Sequence, residues 1–259
     1  MNESSNLRGA VRQQLATDRL LGVTFAPMPR RRFRAKPSAR CHEADAGLLI
    51  GDQTGPRLSV DQKTETLRVL DETRVQSCRA CSLHQTRKRT VFGHGNADAR
   101  LVFVGEAPGE QEDRQGLPFV GRAGELLNRM IVAMGLTREE VYICNVLKCR
   151  PPENRDPSAD EILACASFLR EQLSTIQAEV VVALGAPASK TLLQTADSIG
   201  RLRGRFHHYY LSGTIGVGPW VPLMPTYHPA YLLRSPGEKR KTWDDLKLVM
   251  QRLNLPVPR

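Results

Sequence analysis

Four cysteines supply the first candidate chemistry. Cys78 and Cys81 stand three apart in CRAC, and Cys149 and Cys165 flank the segment PPENRDPSADE. Four thiolates hold zinc or a 4Fe–4S cluster. The second pair lacks the short spacing of a compact zinc finger, and a CxxC pair alone also serves thiol redox chemistry. Cys165 fits the core face of a helix equally well, Cys144 inside YICNV reads as a buried small hydrophobe, and Cys41 reads as an incidental free thiol. A second candidate is GEAPGEQED at residues 105–113, where Gly105 and Gly109 allow a tight turn beside a ligand. Its carboxylates Glu106, Glu112 and Asp113 suit either acid–base work or loop capping. The segment has neither the lysine and spacing of a P-loop nor the GxGxxG pattern of a dinucleotide fold. By residue type alone, Phe119 in GLPFVG is a core or loop anchor, Asn145 in CNVLK caps a strand end, and His228 before Pro229 is structural.

Short apolar runs at 101–104, 141–146, 179–184 and 221–225 read as buried strands. Between them lie helical patterns. Residues 64–75 carry Leu67, Leu70 and Thr73, while GRAGELLNRMIVAMG carries Leu126, Leu127, Met130, Ile131 and Met134, with Gly135 suited to its exit. Ser158 and Glu161 have capping-box spacing and head a helix that faces inward with Ile162, Cys165, Ala166, Leu169 and Leu173. A further helix starts at GAPASKTLL after Gly185. Strands alternating with helices predict a three-layer α/β/α sandwich around a largely parallel four-stranded sheet, because parallel crossovers need long connections that cover both faces. Ligand loops follow strand C-termini in such sheets, which would gather GEAPGEQED, Asn145 and the His228 segment on one edge. The stretch with Arg201, Arg203, Arg205, His207 and His208 reads either as a turn before an edge strand or as a nucleic-acid contact.

Arginine and lysine outnumber acidic residues 37 to 27, a net charge of +10 that suits a polyanionic partner without selecting DNA, RNA or a membrane surface. No run reaches the roughly 18 apolar residues of a membrane span. The N-terminus shows no secretory pattern, so the expected compartment is the cytoplasm. Residues 6–21 place Leu7, Val11, Leu15, Leu20 and Leu21 at loose helical spacing. Residues 27–40 set six basic residues among three prolines, the composition of a basic linker. The expected division is an N-terminal extension over 1–64, with a short helix and basic linker, and a folded domain over 65–259.

Taken together, CRACSLHQTR, GEAPGEQEDRQGLPFVGRAG, NVLKCRPPENRDPSADE and TYHPAYLLR resemble the type 4, iron–sulfur branch of the uracil-DNA glycosylases over residues 65–255, roughly three quarters of the chain. The resemblance implies a uracil-DNA glycosylase-like fold and a base-excision repair enzyme. Such an enzyme hydrolyses the N-glycosidic bond of deoxyuridine in DNA and leaves an abasic site without cutting the strand. It implies a 4Fe–4S cluster on Cys78, Cys81, Cys149 and Cys165. Phe119 would stack on a flipped uracil and Asn145 would read its polar edge. His228 would face the carbonyl beside the breaking bond, and Glu106 would act on water or the cationic sugar. Gly105, Ala107 and Glu112 would complete the substrate pocket. Leu232, Leu233 and Arg234 follow as DNA contacts, for Leu232 and Leu233 with helix packing as the equal alternative, while Arg122, Lys148, Arg150 and Arg155 are phosphate-contact candidates. NVLKCRPPENR lacks the histidine-containing insertion of the covalent relatives, which favours turnover. The implied partner is uracil-containing DNA, with a monomer as the default state. Two other classes stay open: a noncatalytic metal-bearing nucleic-acid-binding module and a nucleotide-binding α/β enzyme.

Overall fold

The structure, a computed structural model, describes residues 57–257. The expected N-terminal helix and basic linker lie outside the described residues. Helix α1 (Val60–Leu70) starts with Ser59 in a complete capping box with Gln62 and continues through a wider turn at Asp71–Val75. It docks Leu67 and Leu70 into the core. Lys63, on the same helix, is fully buried and donates to Asp98 Oδ1 at 2.6 Å and to the carbonyl of Ile176 at 2.7 Å.

The chain then alternates strand and helix. In order come β1 (His94–Gly95), β2 (Leu101–Gly105), α2 (Glu110–Gln115), α3 (Arg122–Ala133), β3 (Tyr142–Asn145), α4 (Ala159–Ile176), β4 (Val180–Leu184) and α5 (Ala186–Leu193). They are followed by α6 (Ile199–Leu202), β5 (His207–Tyr210), β6 (Trp220–Thr226), α7 (Pro229–Arg234) and α8 (Lys239–Arg252). Ser158 and Glu161 do form the expected capping box at the start of α4.

The sheet has six strands in the order β1-β3-β2-β4-β6-β5, not the four expected. The four strands read from apolar runs are its parallel centre, and the two additions are antiparallel edges. β1 is two residues long, too short to show a pattern, and β5 is the polar run HHYY. Edge strands carry less apolar sequence because one side meets solvent, so the strand signal fades there. Strand β5 corresponds to the edge-strand reading of the arginine-rich stretch. Arg203, just before it, is paired with buried Asp245 at 2.8 Å.

Alternation along the central strands sends side chains to two separate clusters. Val102 and Val104 join α1, α4 and α5, whereas Leu101 and Phe103 join α3 and α8. Helices therefore flank both faces of the mixed sheet. Among the described residues no helix is long and apolar enough to cross a membrane.

Candidate active site

Each central strand ends in a residue of one cavity, as expected where parallel strands finish together. Glu106 follows β2, Asn145 ends β3, Gly185 follows β4, and Tyr227 and His228 follow β6. With Ala107, Glu112, Phe119, Tyr231 and Arg234 they line an open cavity of about 830 Å³.

Gly105 sits beneath the cavity, and what surrounds it explains the residue. A Cβ there would lie 2.3 Å from Asn145 Oδ1 and 2.6 Å from Phe119 Cζ, so only glycine lets the amide and the ring converge. Asn145 is 2% exposed, and its buried Oδ1 accepts no hydrogen bond from the described residues. A buried amide oxygen without a donor is costly, which marks this atom as one that a ligand N–H would satisfy.

Phe119 is held at φ 52°, an unfavourable value for a bulky residue. Glu112 supplies the restraint: Oε1 accepts from the backbone N–H of both Val120 and Gly121 at 3.0 Å. The carboxylate thus anchors the Phe119 loop at the start of α3, a favourable place for negative charge. Removing it should loosen the aromatic face. Glu112→Ala is expected to raise KM and lower kcat together by roughly tenfold, the size expected for losing a charge-assisted contact. Steady-state kinetics checks this, and unchanged parameters would mean that the loop holds itself.

Gly185, at φ 92°, lies close under His228: a Cβ there would approach the His228 Cβ to 2.9 Å. His228 heads α7, where its Nδ1 accepts from the Ala230 N–H at 3.1 Å. That contact leaves the proton on Nε2, as a donor. Burial, reinforced by Arg234, lowers the imidazole pKa to about 4. The ring lies 5.6 Å from that of Phe119, tilted by 34°. Glu106 is shifted the other way: burial first, and then the charge of Asp156, push its carboxyl up to about 7. Asp156 was not among the sequence candidates. It lies in the proline-rich connection after β3, and residue type alone gave no sign that the turn folds back over the strand ends.

The structure sorts the remaining candidates. Leu232 is 1% exposed, packed inside the domain, so its expected DNA contact is corrected to the packing alternative. Leu233 is partly exposed and Arg234 exposed on the cavity rim. Tyr231, 37% exposed on the same helix, is the aromatic side chain that α7 presents to the cavity. Lys148 is 1% exposed and therefore no phosphate contact. Arg155 is bound to Glu161 at 2.6 Å.

The expected cluster is also corrected. Cys78, Cys81, Cys149 and Cys165 line one small hollow with Leu83 and Phe168, and all are free thiols. Yet among the described residues no group of three or more His, Cys, Asp or Glu side chains is arranged to hold a metal ion. Burial pushes the Cys149 thiol up and the Cys165 thiol up to about 11. Cys149 Sγ accepts from Arg87 at 3.2 Å, and Cys165 Sγ from the Lys148 N–H at 3.3 Å. The 4Fe–4S group does not fit these residues as they stand.

A cavity at the C-terminal edge of a parallel sheet, with an aromatic face, an unpaired amide and a neutral imidazole, can hold a planar polar group. Residues 92–247 match the model of the Uracil DNA glycosylase superfamily. A type-4 uracil-DNA glycosylase of Thermotoga maritima is 47% identical over 174 residues, covering 67% of this chain and 86% of that protein. One from Saccharolobus solfataricus is 42% identical over 185 residues, covering 70% and 83%. A type-5 uracil-DNA glycosylase of Pyrobaculum aerophilum is more distant, at 32% over 179 residues. The chain belongs to the type-4 uracil-DNA glycosylase family.

Proposed function

We infer that this protein is a monofunctional uracil-DNA glycosylase. It hydrolyses the N-glycosidic bond of deoxyuridine in DNA, releasing uracil and leaving an abasic site for base excision repair. The observation that carries the reading is the unpaired Asn145 Oδ1 beside Phe119, in the cavity that His228 also lines.

The flipped uracil stacks against Phe119, and its N3–H goes to Asn145 Oδ1 while the Asn145 amide donates to the neighbouring carbonyl. Cytosine presents the opposite donor and acceptor pattern. As the bond from sugar to base lengthens, negative charge gathers on uracil, and the Nε2–H of His228 donates to the carbonyl beside that bond. Glu106, as a carboxylate, favours the cationic sugar and orients the water that adds to it. Water supplies the new sugar oxygen, and its proton balances the departing base. Among the described residues no lysine lines the cavity. Leu233 and Arg234 face DNA beside it.

The working domain we propose is 65–259, preceded by the extension 1–64, although α1 already begins at Val60. A three-layer α/β/α uracil-DNA glycosylase-like arrangement, a monomer and a cytoplasmic location complete the reading.

The test is release of free uracil from a duplex carrying one uracil. Its pH dependence follows from Glu106. The raised pKa keeps the side chain neutral below about 7, so if the carboxylate is the active form, kcat/KM climbs with pH up to that value and then levels. Glu106→Gln removes the rising limb, and Asp156→Asn moves it to lower pH by withdrawing a neighbouring negative charge. A profile that is the same in all three proteins would exclude Glu106 from the chemistry.

A further inference from the structure

Lys148 is fully buried, faces no carboxylate within hydrogen-bond reach, and has no part in the chemistry above. Its Nζ donates to the main-chain carbonyl of Asn145 at 2.8 Å and to Gln172 Oε1 at 2.5 Å. Nζ lies 5.9 Å from the centroid of the Phe92 ring. Gln172, on α4, uses its amide N–H groups on the Phe92 carbonyl at 3.0 Å and the Tyr142 hydroxyl at 3.2 Å. These contacts form a closed polar chain from the end of β3, through Lys148, to α4 and back to the start of β3.

Strand geometry explains why a brace is needed at this place. Val146 N–H is bonded to the Gly105 carbonyl, toward β2. Because the N–H and C=O of one trans peptide point in opposite directions, the Asn145 carbonyl faces the other way, toward β1. But β1 is only two residues long and pairs with Ile143 and Tyr142, so it ends before reaching Asn145. Lys148 thus supplies the donor that a longer edge strand would have provided. A buried carbonyl left without one costs enough to rotate its peptide, and the side chain on that peptide is the Asn145 amide.

We propose that Lys148, held by Gln172, is a positioning residue that fixes the Asn145 peptide and thereby aims its amide at the base. This rests on the base-reading role of Asn145 given above. The experiment is a double-mutant cycle: Lys148→Met and Gln172→Leu, each alone and combined with Asn145→Ala. The readouts are single-turnover uracil release from a one-uracil duplex, affinity for the same duplex without uracil, and thermal unfolding. Lys148→Met is expected to slow release by at least about tenfold with duplex affinity unchanged. Added to Asn145→Ala it changes the rate by less than about twofold, since a residue that acts through Asn145 has nothing left to aim. Multiplicative losses in the double variant, or a Lys148→Met enzyme as fast as the parent, would overturn the proposal while leaving the role of Asn145 standing. An Asn145→Ala enzyme as fast as the parent would instead remove that role, and this proposal with it. Should Lys148→Met fail to fold, Gln172→Glu against Gln172→Leu decides the matter. Glutamate keeps an acceptor for Lys148 and is expected to restore most of the rate lost with leucine, and equal rates would refute the brace.

Discussion

His228→Ala is expected to lower the single-turnover rate of uracil release by about 10²–10³-fold with little change in affinity for DNA, the effect of losing one preorganised donor to developing charge. The contact has its full value only when the bond to the base is nearly broken, so its loss falls on the chemical step rather than on binding. Nδ1 is engaged by the Ala230 N–H, so the free proton sits on Nε2. Burial keeps the ring neutral down to about pH 4. Between pH 5 and 9 the parent enzyme should therefore show no limb belonging to His228. The linked stability effect has a definite sign. The folded-state pKa lies below the ordinary imidazole value, so the unfolded chain takes up the proton first. The stability this group contributes is fully present above about pH 6.5 and is lost as pH falls toward 4. A His228→Ala enzyme within a few-fold of the parent would remove the imidazole from the mechanism.

Asn145→Ala is expected to cost a similar amount, about 10²-fold or more, and to cost selectivity as well. A site built to satisfy the polar edge of its substrate rejects bases with the wrong pattern because its own buried groups are then left unpaired. In this protein the unpaired group is already visible, as Oδ1 buried beside Phe119 without a donor among the described residues. Removing the amide removes that penalty. The ratio of uracil release to release of any other base should therefore fall along with the rate. Measuring both on matched duplexes separates this from a folding defect, which would lower the rate and leave the ratio unchanged. An unaltered ratio would show that the shape of the pocket, rather than the amide, selects the base.

Local pattern alone determined the central frame. Four apolar runs became the four parallel strands, Ser158 and Glu161 capped α4, and the rule that ligand loops follow strand ends gathered Glu106, Asn145 and His228 at one cavity. These features depend on neighbours in sequence or on burial on both faces, and both leave a signature in residue type. The resemblance of the four motifs added the expectation of what the cavity binds.

What the tertiary structure decided depends on residues far apart. The edge strands β1 and β5 hold too few apolar residues to be visible alone. Leu232 and Lys148 are an apolar and a charged side chain that would look at home at a DNA surface, yet both are buried. The four-cysteine pattern that reads as a cluster site contains Cys149 and Cys165, whose Sγ atoms accept from protein N–H groups, and among the described residues no such group is arranged to hold a metal ion. Asp156 reaches Glu106 only because the connection after β3 folds over the strand ends, and Gln172 reaches Lys148 only because α4 lies against that connection. Spacing along a chain limits which groups can share a helix face or a strand side. Distance, burial and protonation, by contrast, are set by packing between elements, and those quantities make Asn145 an unpaired amide and His228 a neutral donor.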